Sequence, residues 1–207
     1  NVKDFRNCVI FNSGTANNRV ENSTISNCSS YGIFLSASSG GHTLLNNNLI
    51  QNYIGVFVNQ NSFNNIIENN SFSLHSDAGL RTRYSSSNII KNNIFSNNQN
   101  GVSMEFYYGE TKFTGNTIQN NIACGLCVYG FSSIKKIYTV NNNFINNGGG
   151  QIQMHEMQLS DALPIGGNYW SNYDEPSEGC FDTNSDFICD NALNFGHVAD
   201  SFPWKYK

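Results

Sequence analysis

Four side chains of complementary chemistry recur at nearly constant spacing: Arg83, Glu105, Tyr129 and His155 stand 22, 24 and 26 residues apart. A guanidinium, a carboxylate, a phenol and an imidazole in one row can grip sugar hydroxyls or a uronate carboxylate. The same groups can supply a charge neutraliser, a base and an acid for β-elimination. A second row, Phe34, Phe57, Arg81, Ser103, Cys127 and Gln153, runs beside the first. It adds Phe57 and Arg81 to Arg83, Glu105, Tyr129 and His155 as candidate carbohydrate contacts. The competing reading is plain: stacked charges on a solvated surface commonly pair with one another, as Arg83 and Glu105 would.

Near the C-terminus, Asp182, Asn184, Asp186 and Asp190 occupy relative positions 1, 3, 5 and 9, with the carbonyl of Ile188 available at position 7. That spacing wraps oxygen donors around a hard cation such as Ca²⁺. Two departures from the usual loop are visible. Phe187 stands where Gly ordinarily allows the sharp turn, and Leu193 where a bidentate Glu closes an EF-hand. The alternative is a solvated acidic turn. Calcium here would brace the fold and do no chemistry.

Of six cysteines, Cys180 and Cys189 bracket the acidic loop and would close it as a short ring. Cys8 and Cys28 fall three residues after Phe5 and Ile25, which the repeat described below makes equivalent, so they are expected to bridge neighbouring units. Cys124-Gly125-Leu126-Cys127 is a C-x-x-C without a second pair or a thioredoxin-like context. A structural disulfide or two free thiols fits better than a redox or zinc site.

The element that must position these groups is a repeat. Asn65-Ile66-Ile67-Glu68-Asn69-Asn70-Ser71-Phe72, followed by Gly79-Leu80, returns 23 residues later as Asn88-Ile89-Ile90-Lys91-Asn92-Asn93-Ile94-Phe95, followed by Gly101-Val102. Short apolar alternations separated by Asn, Ser and Gly at this period mark a stacked solenoid, whose units cannot bury their apolar faces alone. Equivalent core positions are expected at Phe5, Ile25, Leu49, Phe72, Phe95, Ile118 and Phe144. An amide column is expected two residues later, at Asn27, Gln51, Leu74, Asn97, Asn120 and Asn146. The recurring glycines Gly32, Gly55, Gly79, Gly101, Gly125 and Gly150 read as corners of positive φ. After each comes an alternating strand whose outward residues are the two rows above.

This pattern resembles the right-handed parallel β-helix repeat proteins of the pectate-lyase-like superfamily, which includes carbohydrate-binding and sugar-hydrolysing members. The resemblance implies an all-β, single-stranded right-handed parallel β-helix of about six to seven coils. Residues 1–158 would form the repeats and residues 159–207 a C-terminal cap of the same domain. Gly166-Gly167-Asn168-Tyr169-Trp170-Ser171-Asn172-Tyr173 and the acidic loop after it resemble the C-terminal segment of NosD-like β-helix proteins, which implies that Tyr169 and Trp170 cover the last coil. Lyases of the superfamily usually carry their acidic cluster near a catalytic Arg or Lys, and epimerases an Asp-Pro-His run. Neither arrangement is present, and no copper constellation is either.

Composition limits the function classes. Only 13% of the 207 residues are charged, the net charge is −4, and roughly one residue in six is Asn. From Glu156 to Asp200 there are nine acids and no Lys or Arg, so a counter-cation suits that segment and nucleic acid does not. No apolar run is long enough to cross a bilayer. Cysteine pairs point to an oxidising compartment: secreted, periplasmic or cell-surface. The chain starts in mid-pattern and without Met, which suggests a processed or excised form. The function expected is an exported β-helix module that binds carbohydrate or builds an assembly, its partners being glycans or neighbouring surface-protein subunits, with end-to-end stacking as one route. The alternative is a polysaccharide lyase, epimerase or hydrolase working on the Arg83, Glu105, Tyr129, His155 face.

Overall fold

The computed structural model describes residues 1–37, 39–105, 109–130, 137–153 and 157–206; His155 of the first expected row lies outside the described residues. Three parallel sheets wind around one core. The base sheet has eight strands: Val2–Lys3, Thr24–Ser26, Asn48–Ile50, Ser71–Ser73, Ile94–Ser96, Thr117–Gln119, Asn143–Ile145 and Tyr169–Trp170. The front sheet has seven: Asn7–Phe11, Tyr31–Leu35, Ile54–Asn59, Ala78–Arg83, Asn100–Glu105, Cys124–Tyr129 and Ile152–Gln153. The side sheet also has seven: Arg19–Glu21, Thr43–Leu45, Ile66–Glu68, Ile89–Lys91, Thr111–Thr114, Ile137–Val140 and Met157–Gln158. The chain visits base, front and side in turn, so each circuit adds one rung to every sheet. This is the solenoid the repeat predicts.

Ile25, Leu49, Phe72, Phe95, Ile118, Phe144 and Trp170 lie in register inside the base sheet, all fully buried. Rings stack where they meet: Phe72 on Phe95 at 4.6 Å and Phe144 on Trp170 at 4.5 Å between centroids. One expected member is corrected. Val2, and not Phe5, pairs with Ile25, and Phe5 is 60% exposed. At the first coil the apolar residue nearest the expected interval belongs to the turn after the strand.

The corners explain the abundance of Asn, and they correct the amide column by one residue. Asn27, Gln51, Leu74, Asn97, Asn120 and Asn146 are exposed and adopt φ of 50–59°. They are the bends, where an amide side chain tolerates the left-handed region better than most. The residue after each bend turns inward and builds the ladder: Cys28, Asn52, His75, Asn98, Asn121 and Asn147, all buried. A second corner repeats the device. Asn46, Asn69, Asn92 and Asn141 bend, with φ of 54–56°; Asn47, Asn70, Asn93, Asn116, Asn142 and Asn168 follow as a buried column. There each backbone N–H and Nδ2 donates to the Oδ1 of the next coil at 2.9–3.1 Å. A buried corner would otherwise leave peptide groups unpaired, so the Asn-Asn pairs solve bend and satisfaction together.

The strand glycines are corrected too. Gly32, Gly55, Gly79, Gly101 and Gly125 are not among the residues of positive φ. They are required because the next coil passes too close. A Cβ on Gly32, Gly79, Gly101 or Gly125 would sit 2.5–2.8 Å from a carbonyl oxygen above it. Cys8 takes the place of this glycine in the first coil, since Asn7 pairs with Tyr31, and it bonds to Cys28 at the foot of the corner ladder. The expected Cys8–Cys28 bridge is therefore present although Phe5 is not equivalent to Ile25.

Beyond Gln158 the chain adds one more base-sheet rung, Tyr169–Trp170, and packs Leu159, Tyr173, Cys180 and Cys189 on the core. Trp170 is fully buried as the last rung of the base sheet, in register with Phe144; Tyr169 beside it is partly exposed, its hydroxyl donating to Asp174 at 2.5 Å. Asp200, fully buried on the antiparallel pair Leu193–Asn194 and Ala199–Asp200, ends the Asn ladder. Its carboxylate accepts from Asn168 N at 2.7 Å, Trp170 Nε1 at 2.9 Å and Phe202 N at 3.1 Å. Cys180 and Cys189 are bonded, as expected.

Candidate functional site

Register places the first row on one outward line of the front sheet. Asn59 pairs with Arg83, Arg83 with Glu105 and Glu105 with Tyr129, at steps of about 4.8 Å. The second row is also in line: Phe34, Phe57, Arg81, Ser103, Cys127 and Gln153 pair in succession. The alternation that buries Leu80, Thr82, Val102 and Met104 turns Arg81, Arg83 and Glu105 outward, while Ser103, on the same side of the sheet, is covered.

The charged centre is a chain of ion pairs. Arg81 holds Asp77 through two nitrogens, at 2.8 and 3.0 Å, and its Nε lies 3.3 Å from Glu105. The other Glu105 oxygen lies 3.7 Å from Arg83 Nε. Arg81 is thus committed between two carboxylates, while Arg83 and Tyr129 are about half exposed, at 46% for the Arg83 side chain and 47% for Tyr129. Burial pushes the Asp77 carboxyl above its ordinary range, and Arg81 beside it opposes the shift. Asp77 is absent from the sequence-derived set because it sits in the turn before its strand, where outward alternation gives no signal.

Phe57 keeps its row but is mostly covered, being 7% exposed. It stacks with Phe34 at 5.5 Å and tilts against Tyr31 at 5.2 Å. The aromatic group therefore occupies the second and third coils, and the ion pairs the fourth and fifth. Cys124 and Cys127 form a disulfide on the same sheet, which decides between the two states left open for this pair; both residues are buried.

The acidic loop is a separate feature in the cap. Phe187 and Ser185 adopt φ of 69° and 61°, so the bend expected of glycine is made without one. The side-chain oxygens point mainly at the loop's own N–H groups. Asp182 and Asn184 accept from Asp186 N at 3.1 and 3.2 Å, Asp186 accepts from Ile188 N at 3.0 Å, and Asp190 takes both Thr183 donors. The hydrogen bonds of Thr183 hold the Asp190 carboxyl below its ordinary range. Lys205 Nζ lies 3.8 Å from Asp182. Among the described residues, no three His, Cys, Asp or Glu side chains converge as a metal cage.

His42 and His75, scattered in the sequence, are ladder members. Each Nδ1 accepts a backbone N–H from the preceding coil, Asn18 at 3.2 Å and Asn52 at 3.0 Å. Burial lowers His75 to about 4. Neither ring reaches the outer face.

The family described as "Right handed beta helix region" matches residues 1–147. Among solved structures, the chain is similar to the A-module of the mannuronan C-5 epimerase AlgE6 of Azotobacter vinelandii, with a TM-score of 0.56 and 14% identity over 72% of this chain and 53% of that one. It is also similar to a double mutant of the periplasmic alginate epimerase AlgG, with a TM-score of 0.57 and 21% identity over 79% of this chain and 39% of that one. These likenesses are of fold, and the chain spans about half or less of each structure. No curated protein matches the sequence. No helix among the described residues is long and apolar enough to cross a membrane.

Proposed function

Since the chain belongs to the right-handed β-helix family, whose interior is filled by its own core, its work has to be done on the outside of the coil, and we propose that the front sheet binds an acidic glycan in an exported module. The observation that carries this is the line Arg83, Glu105, Tyr129. A half-exposed phenol stands one rung from a carboxylate whose second partner is a half-exposed guanidinium. Tyr129 supplies a stacking face, Arg83 a charge for a uronate carboxylate, and Glu105 an acceptor for hydroxyls. Arg81, held by Asp77 and Glu105, keeps that acceptor in place. Of the solved β-helices named above, one is an epimerase of mannuronan and the other of alginate, both polyuronates, which supports this class of ligand. Three disulfides support an oxidising location.

Binding of oligouronates, measured by titration calorimetry, tests the reading. Tyr129→Ala and Arg83→Ala are each expected to weaken binding about tenfold or more. Affinity untouched by both substitutions, or absence of binding to any acidic glycan, overturns it. A second reading, an enzyme on the same face, is favoured by the two named neighbours, both epimerases, and by the carboxylate–guanidinium chain Asp77, Arg81 and Glu105 on that face. New unsaturated ends or inverted uronates after incubation with the polymer would select it over simple binding.

We further propose that calcium braces the cap through oxygens of Asp182, Asn184, Asp186 and Asp190 and the Ile188 carbonyl. The all-oxygen donor set and the bend at Phe187 support this; the carboxylates would have to exchange their N–H partners for the cation.

A further inference from the structure

A hollow of about 400 Å³ opens where the front sheet turns into the side sheet in the first three coils. Its origin is a gap in a column of side chains. Ala16, Gly40 and Phe63 are equivalent, joined by single bridges from coil to coil. Two of the three carry almost no side chain, so an empty trough about two rungs, or ~10 Å, long lies beside the Phe63 ring. Gly40 cannot fill it, because a Cβ there would meet the Phe63 carbonyl at 2.5 Å. Phe63 is 44% exposed although it stands beside this trough.

The lining selects a ligand class. Among the described residues, no charged side chain borders the hollow. Four of the backbone donors there are engaged: Thr15 N bonds to the Asn12 carbonyl at 3.1 Å, Asn17 N to the Gly40 carbonyl at 3.1 Å, Gly40 N to Thr15 at 3.4 Å, and Gly41 N to Phe63 at 3.0 Å. What remains is an aromatic ring flanked by the exposed amides of Asn17 and Asn64 on the adjoining bends. An aromatic platform with an amide rim suits a ligand with one apolar face and a hydroxylated edge.

From this the geometry points to a second carbohydrate site, distinct from the charged front face and specific for a neutral pyranose stacked on Phe63. It stands independently of the acidic-glycan reading, because none of Arg83, Glu105 or Tyr129 borders the hollow.

Saturation-transfer NMR on the full chain with neutral methyl pyranosides at about 10 mM, a concentration suited to millimolar affinity, tests the site. Transfer to at least one neutral sugar is expected. Phe63→Ala should reduce it about tenfold, an exposed change that leaves the core alone. Gly14→Asn is a second, filling variant. Nothing lies within 4 Å of a Cβ built at Gly14, and its φ of 78° is one that Asn tolerates. It should also reduce transfer. Tyr129→Ala should leave it unchanged and an oligouronate should not compete. Absence of transfer to every neutral sugar overturns the inference. So does transfer unaffected by both Phe63→Ala and Gly14→Asn, or lost with Tyr129→Ala. Preferential binding of a nucleoside or inorganic phosphate at this hollow would likewise contradict it.

Discussion

His75 shows how one residue ties the ladder to pH. Its ring nitrogen accepts a backbone N–H, so the neutral form is built in, and burial lowers its pKa from 6.5 to about 4. A folded value below the unfolded one means that the unfolded chain takes up the proton first. Stability should therefore fall as pH drops from about 6.5 towards 4, by on the order of 3 kcal/mol at most. Asp200 works in the opposite sense. Burial raises its carboxyl from 3.8 to about 6, so its burial cost is relieved as pH falls through that range. His75→Asn, which restores the residue type of the same column in neighbouring coils, is expected to flatten the fall. Thermal melts between pH 7 and 4 check this, and an equal fall in the variant would refute the assignment. Asp200→Asn should cost about 1–3 kcal/mol at pH 7, because an amide hydrogen would then face donors that now meet a carboxylate. Both residues were illegible beforehand. A lone His in an Asn-rich chain looks like surface until the bend at Leu74, one residue earlier, is known to turn it inward, and Asp200 is buried by contacts distant in sequence.

At the scale of the coil, the two kinds of special backbone residue exchange the roles expected of them. Asparagines make the bends and glycines make room for the next rung. Gly101→Ala is accordingly expected to destabilise by about 2–4 kcal/mol, since the added carbon meets backbone and the Ile118 and Asn121 side chains. Asn97→Gly, at a φ of 57°, should stay within about 0.5 kcal/mol of the parent. Chemical denaturation of the two variants compares them directly. Equal losses would mean that the bends, and not the close rungs, limit the stack. Period-two alternation was enough to place Arg81, Arg83, Glu105 and Tyr129 on one outward sheet, because alternation sets side-chain direction along a strand. It was not enough to place the amide column, because a bend breaks the alternation and shifts everything after it by one residue. Asp77 was lost for the same reason.

For the whole molecule, the 23-residue repeat made the parallel stack of coils legible, but not its division into three sheets. How the C-terminal segment packs on the last coil was less legible, since the contacts of Asp200 with Asn168 and Trp170 span 32 and 30 residues with no local pattern. If calcium braces this cap, a chelator should lower the melting temperature and added calcium should restore it; no change on chelation removes the proposal. The central claim is that the front sheet is the acidic-glycan surface, and two tyrosines of equal exposure make it testable within one sample. Tyr129 on the front sheet and Tyr53 at a corner are both 47% exposed. Hydroxyl-radical footprinting with and without a saturating oligouronate should protect Tyr129 and leave Tyr53 unchanged, whereas protection of Tyr53 with Tyr129 still reactive would contradict the account.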